Sequence, residues 1–231
     1  MKLFGRVDWF SLAVIAVMFA MAAWAWPQVP ERIPVHWNIR GEVDGYGGRF
    51  VGLLLLPLAA LGVYMLMQLA RLVDPGKANY ENFAQAFAMI RLVFVLFMAT
   101  IYGVMVRAAF GHVVAMGTIM FLAMGVLFIV LGNFMGKLRP NWFVGVRTPW
   151  TLSSRLSWDK THRLAGWLFV LMGALFFVLV FFQKPWALGV VLAIDVVSIL
   201  WMVLYSYLVY RSDPHRVTPA GATPVGDENA T

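Results

Sequence analysis

The segment GNFMGKLRPNWFVGVRTPWTLSSRLSWDKTHR, residues 132–163, is the densest basic part of the chain and lies between two long apolar segments. Its only acid is Asp159, and tryptophans alternate with its cations. Pro140 and Pro149 interrupt it, so a single continuous helix is not expected. Basic residues interleaved with tryptophans beside apolar segments are typical of a loop at a membrane–water interface.

The composition on either side of this loop is that of a membrane protein. Of the 231 residues, 61% are hydrophobic and 13% are charged, and the mean hydropathy is +0.78. A soluble domain has about 45–50% apolar and about 25% charged residues. The chain has no cysteine, which excludes disulfides, thiol catalysis and cysteine-ligated metals. The net charge of +7 indicates loop asymmetry and anionic lipid rather than direct nucleic acid binding.

Six apolar segments predict the fold class. A helix needs about 20 apolar residues to cross the hydrocarbon core. We therefore expect an all-α integral membrane protein, a bundle of about six transmembrane helices over residues 1–210. The predicted spans are 10–26, 51–70, 92–106 (with a helical lead-in over 79–90), 113–131, 164–182 and 187–210.

Charge asymmetry predicts the orientation of this bundle. Six spans place both termini on one side, and that side would carry 13 of the 18 Lys and Arg residues. Because cytoplasmic loops are enriched in Lys and Arg, we expect both termini and the 132–163 loop to be cytoplasmic. The loop over 27–50 would then face outward. The polar tail, residues 211–231, has no apolar periodicity and is expected to be disordered.

The outer loop is rich in turn-forming residues, and an extended piece over 35–38 before Gly41 predicts a short hairpin or an irregular loop. His36, Glu42 and Asp44 could in principle bind a metal, but their spacing matches no defined site, and we predict none. The alternative is turn chemistry, in which Asn38 and Asp44 hydrogen-bond the backbone.

Asp195 lies inside the sixth predicted span. A carboxylate there costs about 2.5–3.5 kcal/mol on insertion scales, so we expect it to face the interior and to be paired or protonated. One interpretation is a proton or ion relay, or part of a ligand site. The other is a structural acid that bonds a neighbouring helix or pairs with Arg107 or Arg49.

The basic loop also has two interpretations. It is a topology determinant anchored to lipid headgroups, or it is a binding surface for an acidic partner, since arginine suits carboxylates and phosphates. His162, beside Asp159, could act as a general base, but no nucleophile partner is apparent. No hydrolase, metalloprotease or phosphate-binding motif is present, and we expect neither an enzyme nor a cofactor. The Gly132-x-x-x-Gly136 spacing would allow a close helix approach.

Three pieces of the basic loop resemble the signature of the SdpI family. They are Gly132-Asn133, Pro140-Asn141-Trp142-Phe143-Val144-Gly145-Val146-Arg147-Thr148-Pro149-Trp150-Thr151-Leu152-Ser153 and Trp158-Asp159-Lys160-Thr161-His162-Arg163. The outer loop, over 30–38 and 41–45, resembles an uncharacterised module that often precedes that signature. The two motifs come in the right order and together span roughly residues 10–170.

The resemblance implies a bacterial cytoplasmic-membrane protein that protects the cell from a secreted toxic peptide and that holds a cytoplasmic repressor at the membrane. We expect the bilayer, such a peptide and such a repressor as partners. The alternative is a small proton-coupled transporter or membrane enzyme that uses Asp195. The residues expected to bind a ligand or partner are His36, Asn38 and Asp44 outside, and Asn133, Asn141, Arg147, Thr148, Trp150, Trp158, His162 and Arg163 inside.

Overall fold

The computed structural model describes residues 5–182 and 185–217, and this part of the chain is mostly helical. Two strands form a small sheet between the first two helices. The elements in chain order are α1 (Arg6–Ala25), β1 (Arg32–Trp37), β2 (Val43–Gly48), α2 (Leu55–Val73), α3 (Ala84–Ala109), α4 (Met116–Met135), α5 (Pro149–Ser153), α6 (Arg155–Leu179) and α7 (Pro185–Arg211).

Six helical segments in the described ranges are long and apolar enough to cross a membrane. A π-helical turn, Phe50–Leu54, extends α2 at its start, and a 3-10 helix, Lys77–Phe83, extends α3. The predicted bundle of six transmembrane helices is therefore confirmed, and the protein is a multi-pass membrane protein, consistent with the bacterial cytoplasmic membrane.

The predicted start of the fifth span was wrong, because α6 begins nine residues earlier, at Arg155. Ser154 explains the early start, since its Oγ accepts the Ser157 N–H at 2.9 Å and so caps the helix. The first span also begins earlier than expected, at Arg6. The predicted loop over 132–163 is consequently part helix.

The bundle has two distinct ends. At one end Asp74, after α2, accepts the Trp142 N–H, and Ser154, before α6, donates to Asp213, after α7. We call this end the signature face; it comprises the start of α1, residues 74–83, residues 136–154 and the end of α7. The hairpin lies at the opposite end, the hairpin face. Both ends of the described chain thus lie at the signature face.

The expected hairpin is present, with β1 and β2 paired antiparallel and irregular register near His36. Ile33 on β1 is buried in the core and lies directly over Gly52 of the π-helical turn. A Cβ built on Gly52 would lie 2.2 Å from Ile33 Cδ1, so a side chain there would push the sheet away. The hairpin is therefore packed onto the first turns of the α2 span.

Glycines hold α4 against α6. A Cβ on Gly132 would lie 2.6 Å from the Gly166 carbonyl oxygen, and one on Gly173 would lie 2.7 Å from the Gly125 carbonyl oxygen. Such close backbone contact is typical of small residues in membrane helices. The predicted close approach at Gly132 is present, whereas Gly136 contributes little, since its nearest neighbour would be the Arg163 Cα at 3.9 Å.

The start of the tail, up to Val217, lies within the described residues, and the Val217 N–H donates to the Ser153 carbonyl at 3.0 Å. The rest of the predicted disordered tail, residues 218–231, lies outside them.

Candidate functional site

Asn141 builds the first turn of the signature face. Its Oδ1 accepts the N–H groups of Phe143 and Val144, at 3.0 and 2.7 Å. Its Nδ2 donates to the carbonyls of Arg139 and Val144, at 2.9 and 3.0 Å. The side chain is buried, and these four bonds use its hydrogen-bonding capacity. Asn141 therefore shapes the loop from within.

His162 is locked into one neutral form by two backbone groups. Its Nε2 accepts the Val146 N–H at 3.0 Å, and its Nδ1 lies 2.8 Å from the Trp158 carbonyl. A carbonyl can only accept, so Nδ1 carries the hydrogen and Nε2 the lone pair. The lone pair that a general base would need is thus already bonded, and the ring is 1% exposed.

Trp158 and Gly145 complete this buried support. The Trp158 ring stacks on the imidazole with a centroid distance of 4.0 Å, and its Nε1 donates to the Leu138 carbonyl at 3.0 Å. Gly145 has φ +112°, and a Cβ there would lie 2.3 Å from His162 Nε2. Any other residue at position 145 would be strained and would collide with the ring.

The short helix α5 connects the loop to α7. Thr148 and Thr151 cap it reciprocally, each hydroxyl accepting the other's backbone N–H at 3.1 and 2.9 Å. The Thr148 hydroxyl also lies 3.0 Å from Ser206 Oγ on α7. Trp150 packs against Tyr207 with a ring-centroid distance of 5.1 Å. Thr148 and Trp150 therefore dock α5 onto α7.

Asp74 joins the end of α2 to the loop over residues 136–148, between α4 and α5, which we call the signature loop. Asp74 was not among the residues predicted from the sequence. Its Oδ2 accepts the Tyr80 hydroxyl at 2.8 Å and the Trp142 N–H at 3.0 Å, and its Oδ1 accepts the Gly76 N–H at 2.6 Å. Asn79 Nδ2 donates to the Pro140 carbonyl at 2.7 Å beside it. The Asp-Pro-Gly turn was the available signal, but it points only to a turn.

A buried charged network between α1, α2 and α3 was also missed. Arg91 donates to Asp8 Oδ1 and to Gln68 Oε1, both at 2.6 Å. Gln68 Nε2 lies 3.3 Å from Asp8 Oδ1 and donates to the Tyr64 hydroxyl at 3.0 Å. All four side chains are buried. The available signal in the sequence is Arg91 between Ile90 and Leu92, since a cation inside an apolar segment needs a partner.

The remaining inner candidates are exposed. Arg147 Nη1 donates to the Trp142 carbonyl at 2.7 Å, and the side chain otherwise faces outward. Asn133 and Arg163 are exposed on α4 and α6 and border the same cavity. Neither arginine takes part in an ion pair with any described residue. These three residues are the ones available to a partner.

The outer candidates meet at the hairpin. His36 Nδ1 lies 2.5 Å from Asp44 Oδ1, and both side chains are exposed. Asn38 closes the turn, its Oδ1 accepting the N–H groups of Arg40 and Glu42 at 2.8 and 3.1 Å. Its amide and then the Arg40 charge lower the pKa of Glu42. Within the described ranges, no three potential metal ligands cluster here or elsewhere.

A cavity of about 220 Å³ lies between the hairpin and the bundle. Trp37, Asn38 and Ile39 line it on one side, and Met116, Met120 and Leu188 on the other. Most of its lining is apolar. The turn of the hairpin thus borders a pocket that suits a small apolar group.

Asp195 on α7 is half-buried and forms no ion pair within the described part of the chain. Its Oδ1 is buried without a hydrogen-bond partner there. Neither Arg49 nor Arg107, the partners considered from the sequence, forms an ion pair with it among the described residues. Arg49 instead donates to the Val29 carbonyl at 3.0 Å.

Two segments of the chain match known protein families. Residues 137–206 match the SdpI/YfhL protein family. Residues 137–206 are therefore a segment of the SdpI/YfhL type, in a chain with six candidate membrane spans in its described part. Residues 13–61 match a domain of unknown function, DUF1648. No curated protein and no solved structure gives a significant match to the chain.

The two matches cover different ends of the molecule. The SdpI/YfhL segment contains most of the signature loop, all of α5 and α6, and α7 as far as Ser206. The DUF1648 segment contains most of α1, the hairpin and the start of α2. Within the SdpI/YfhL segment, Asn141, Trp158 and His162 hold the signature loop together, while Arg147 and Arg163 are exposed.

Proposed function

We propose that this SdpI/YfhL-type protein is a non-enzymatic immunity and signalling protein. It protects the cell from a secreted antimicrobial peptide and sequesters a cytoplasmic repressor at the membrane. The observation that carries the proposal is the match of residues 137–206 to the family, because the first part of that segment is a basic loop held in one conformation by buried hydrogen bonds. A preorganised surface binds with a smaller entropic cost than a mobile loop.

The inner partner would bind at the signature face. Arg147 is exposed there, and its hydrogen bond to the Trp142 carbonyl limits its rotamers while leaving other N–H donors available. A planar guanidinium held in this way suits the carboxylates of an acidic protein surface. The repressor would therefore present an acidic patch to Arg147.

The outer partner would bind at the hairpin face. An amphipathic peptide needs an apolar contact beside polar groups, and the cavity bordered by Trp37 and Met120 lies close to the exposed pair His36 and Asp44. The hairpin is the part of the DUF1648 match that extends from the bundle. Peptide binding there would block access to the membrane near the helix ends.

The test is survival of toxin-sensitive cells that express the chain and are challenged with the secreted peptide. Arg147→Ala and His36→Ala are compared with wild type at matched protein levels, with the exposed Lys77→Ala as a charge control. We expect His36→Ala to reduce survival and Arg147→Ala to lose repressor recruitment, while Lys77→Ala behaves as wild type. Wild-type expression without protection contradicts the immunity proposal.

A proton-coupled transporter is the second candidate, and Asp195 favours it. Its Oδ1 is buried inside a span without a hydrogen-bond partner among the described residues. An ionisable residue in that position is by default a candidate for proton transfer. Asp195→Asn would then abolish transport while leaving the amount of folded protein unchanged. If Asp195→Asn keeps full activity, or simply fails to accumulate, this candidate is rejected.

A further inference from the structure

A second cavity at the signature face carries chemistry that the proposed function does not use. It lies between α4 and α6 and has a volume of about 310 Å³. It is open to the outside of the bundle rather than enclosed. The side chains that matter for its chemistry are those of Asn133, Lys137, Arg163, Trp167 and Val170.

The cavity exists because Gly136 presents no side chain beside the closest contact of the two helices. The α4 and α6 backbones meet at Gly132 and Gly166. Just beyond that contact, a Cβ on Gly136 would touch only the Arg163 Cα, at 3.9 Å. The space between the helices is therefore left open toward the signature face.

Two cations from two different elements meet at this opening. Lys137 follows the end of α4, where its ammonium lies 4.6 Å from the centre of the Phe134 ring, and Arg163 lies on α6. No acid lines the cavity, and neither cation forms an ion pair within the described ranges. Lys137 also borders a neighbouring polar cavity with Arg139, which extends the positive field, although Glu81 lines that cavity too.

The other end of the cavity is apolar. Arg163, Trp167 and Val170 follow one another on α6 at helical spacing, so they lie along one face of the helix. Because α6 runs from the signature face into the bundle, the cation comes first and the apolar side chains lie deeper. Trp167 is 74% exposed, which is expected of a tryptophan at the lipid interface.

This order of charges and apolar groups matches that of one lipid class. A phospholipid has a phosphate at the membrane surface and acyl chains toward the centre, and basic pockets between transmembrane helices suit anionic headgroups. The two cations favour a lipid with net negative charge over a zwitterionic one, whose own ammonium they would repel. We propose that the cavity between α4 and α6 is a binding site for an anionic phospholipid, its phosphate held by Lys137 and Arg163 and one acyl chain lying against Trp167 and Val170.

The test measures lipid affinity of the full chain in detergent by native mass spectrometry, with phosphatidylglycerol and phosphatidylcholine as probes. The variant is Lys137→Gln with Arg163→Gln. The control is Lys77→Gln with Lys160→Gln, which removes the same charge from two exposed lysines outside the cavity lining, one on the signature face and one near the start of α6. We expect the variant to lose about tenfold or more in affinity for phosphatidylglycerol, because each cation near an anionic surface contributes about fivefold.

Three results would overturn the proposal. The first is equal loss in the control, which would assign the affinity to general surface charge. The second is unchanged affinity in the variant. The third is complete displacement of the lipid by glycerol phosphate at a concentration equal to that of the phospholipid, which would make the ligand a soluble phosphate. Circular dichroism of both double variants confirms that the helices are intact.

Discussion

At the scale of single residues, Asp8 and Arg91 form a buried ion pair, whose desolvation is costly. Its charges are removed from water and from lipid headgroups alike, and Gln68 supplies the second acceptor for Arg91. Asp8 also caps α1, since its Oδ2 accepts the Gly5 N–H at 2.8 Å. One carboxylate thus fixes the start of α1 and its contact with α3.

We predict that Arg91→Met or Asp8→Asn alone destabilises the fold by about 3–5 kcal/mol, because each leaves an uncompensated polar partner buried. The combined variant should recover part of that loss. The measurement is unfolding of the purified protein at increasing concentrations of a denaturing detergent. The free energies of unfolding are analysed as a double-mutant cycle. The exposed Arg6→Met serves as control, and strictly additive losses would show that the two side chains do not interact.

The residue scale is also where the sequence was least informative. A sequence motif does not separate buried residues that support a surface from exposed residues that contact a partner. The motif therefore contained both the buried Asn141, Trp158 and His162 and the exposed Arg147 and Arg163. Their separation depends on backbone partners such as the Val146 N–H and the Leu138 carbonyl. Binding by the exposed residues, and by His36 and Asp44, stays a prediction.

At the scale of elements, the closest contacts between α4 and α6 are made by backbone atoms at their glycines, and aromatic side chains such as Phe128 and Phe169 pack beside them. We predict that Gly132→Ala destabilises the fold by about 1–3 kcal/mol, because the new methyl group meets the Gly166 carbonyl, which cannot rotate away. Gly136→Ala, four residues later on the same helix end, should change stability by no more than about 0.5 kcal/mol. Thermal unfolding compares the two, and equal effects would disprove this account of the contact.

The attachment of the chain after α7 should depend on pH. The Ser154 hydroxyl, 2.5 Å from Asp213 Oδ2, and then the His215 N–H lower the pKa of Asp213. The attachment is therefore fully stabilised above the unfolded-state pKa of about 3.9 and is lost as the pH falls through the lower folded-state pKa.

Hydrogen exchange of the Val217 N–H, which donates to Ser153, reports this attachment. We predict slow exchange at neutral pH and, after correction for intrinsic rates, loss of protection in acid. Asp213→Asn should lose protection at neutral pH as well. A wild type and an Asp213→Asn variant with the same protection would show that the carboxylate contributes nothing.

The element scale was largely predictable, with one systematic error. Apolar length alone located all six spans and turn-forming residues located the hairpin, since both depend on local composition. The start of α6 was misplaced because hydropathy does not register a helix that begins with Arg155 and polar residues. Its cap by Ser154 is a local contact with Ser157 that hydropathy ignores, and its docking on Ser206 depends on tertiary structure.

At the scale of the whole molecule, the two faces can be assigned to the two sides of the membrane. The charge count predicts that the signature face is cytoplasmic. Because the chain has no cysteine, single substitutions give labelling without background from the chain itself. We predict that Ile39→Cys, exposed on the hairpin, reacts with a membrane-impermeant maleimide on intact cells, whereas Lys77→Cys, exposed on the signature face, reacts only after lysis. The opposite pattern would invert the orientation.

The glycine contacts between α4 and α6 also limit how this sequence can change. At Gly125, Gly132 and Gly173 a Cβ would lie within 3.0 Å of a facing carbonyl oxygen, so any substitution at these positions is destabilising. By contrast, many residues of α7 face outward into the bilayer, and any apolar residue satisfies that environment. Lineages of this protein should therefore diverge quickly along α7 while the seam between α4 and α6 stays nearly constant. A random-mutagenesis library selected for folded protein would display the same contrast within one experiment.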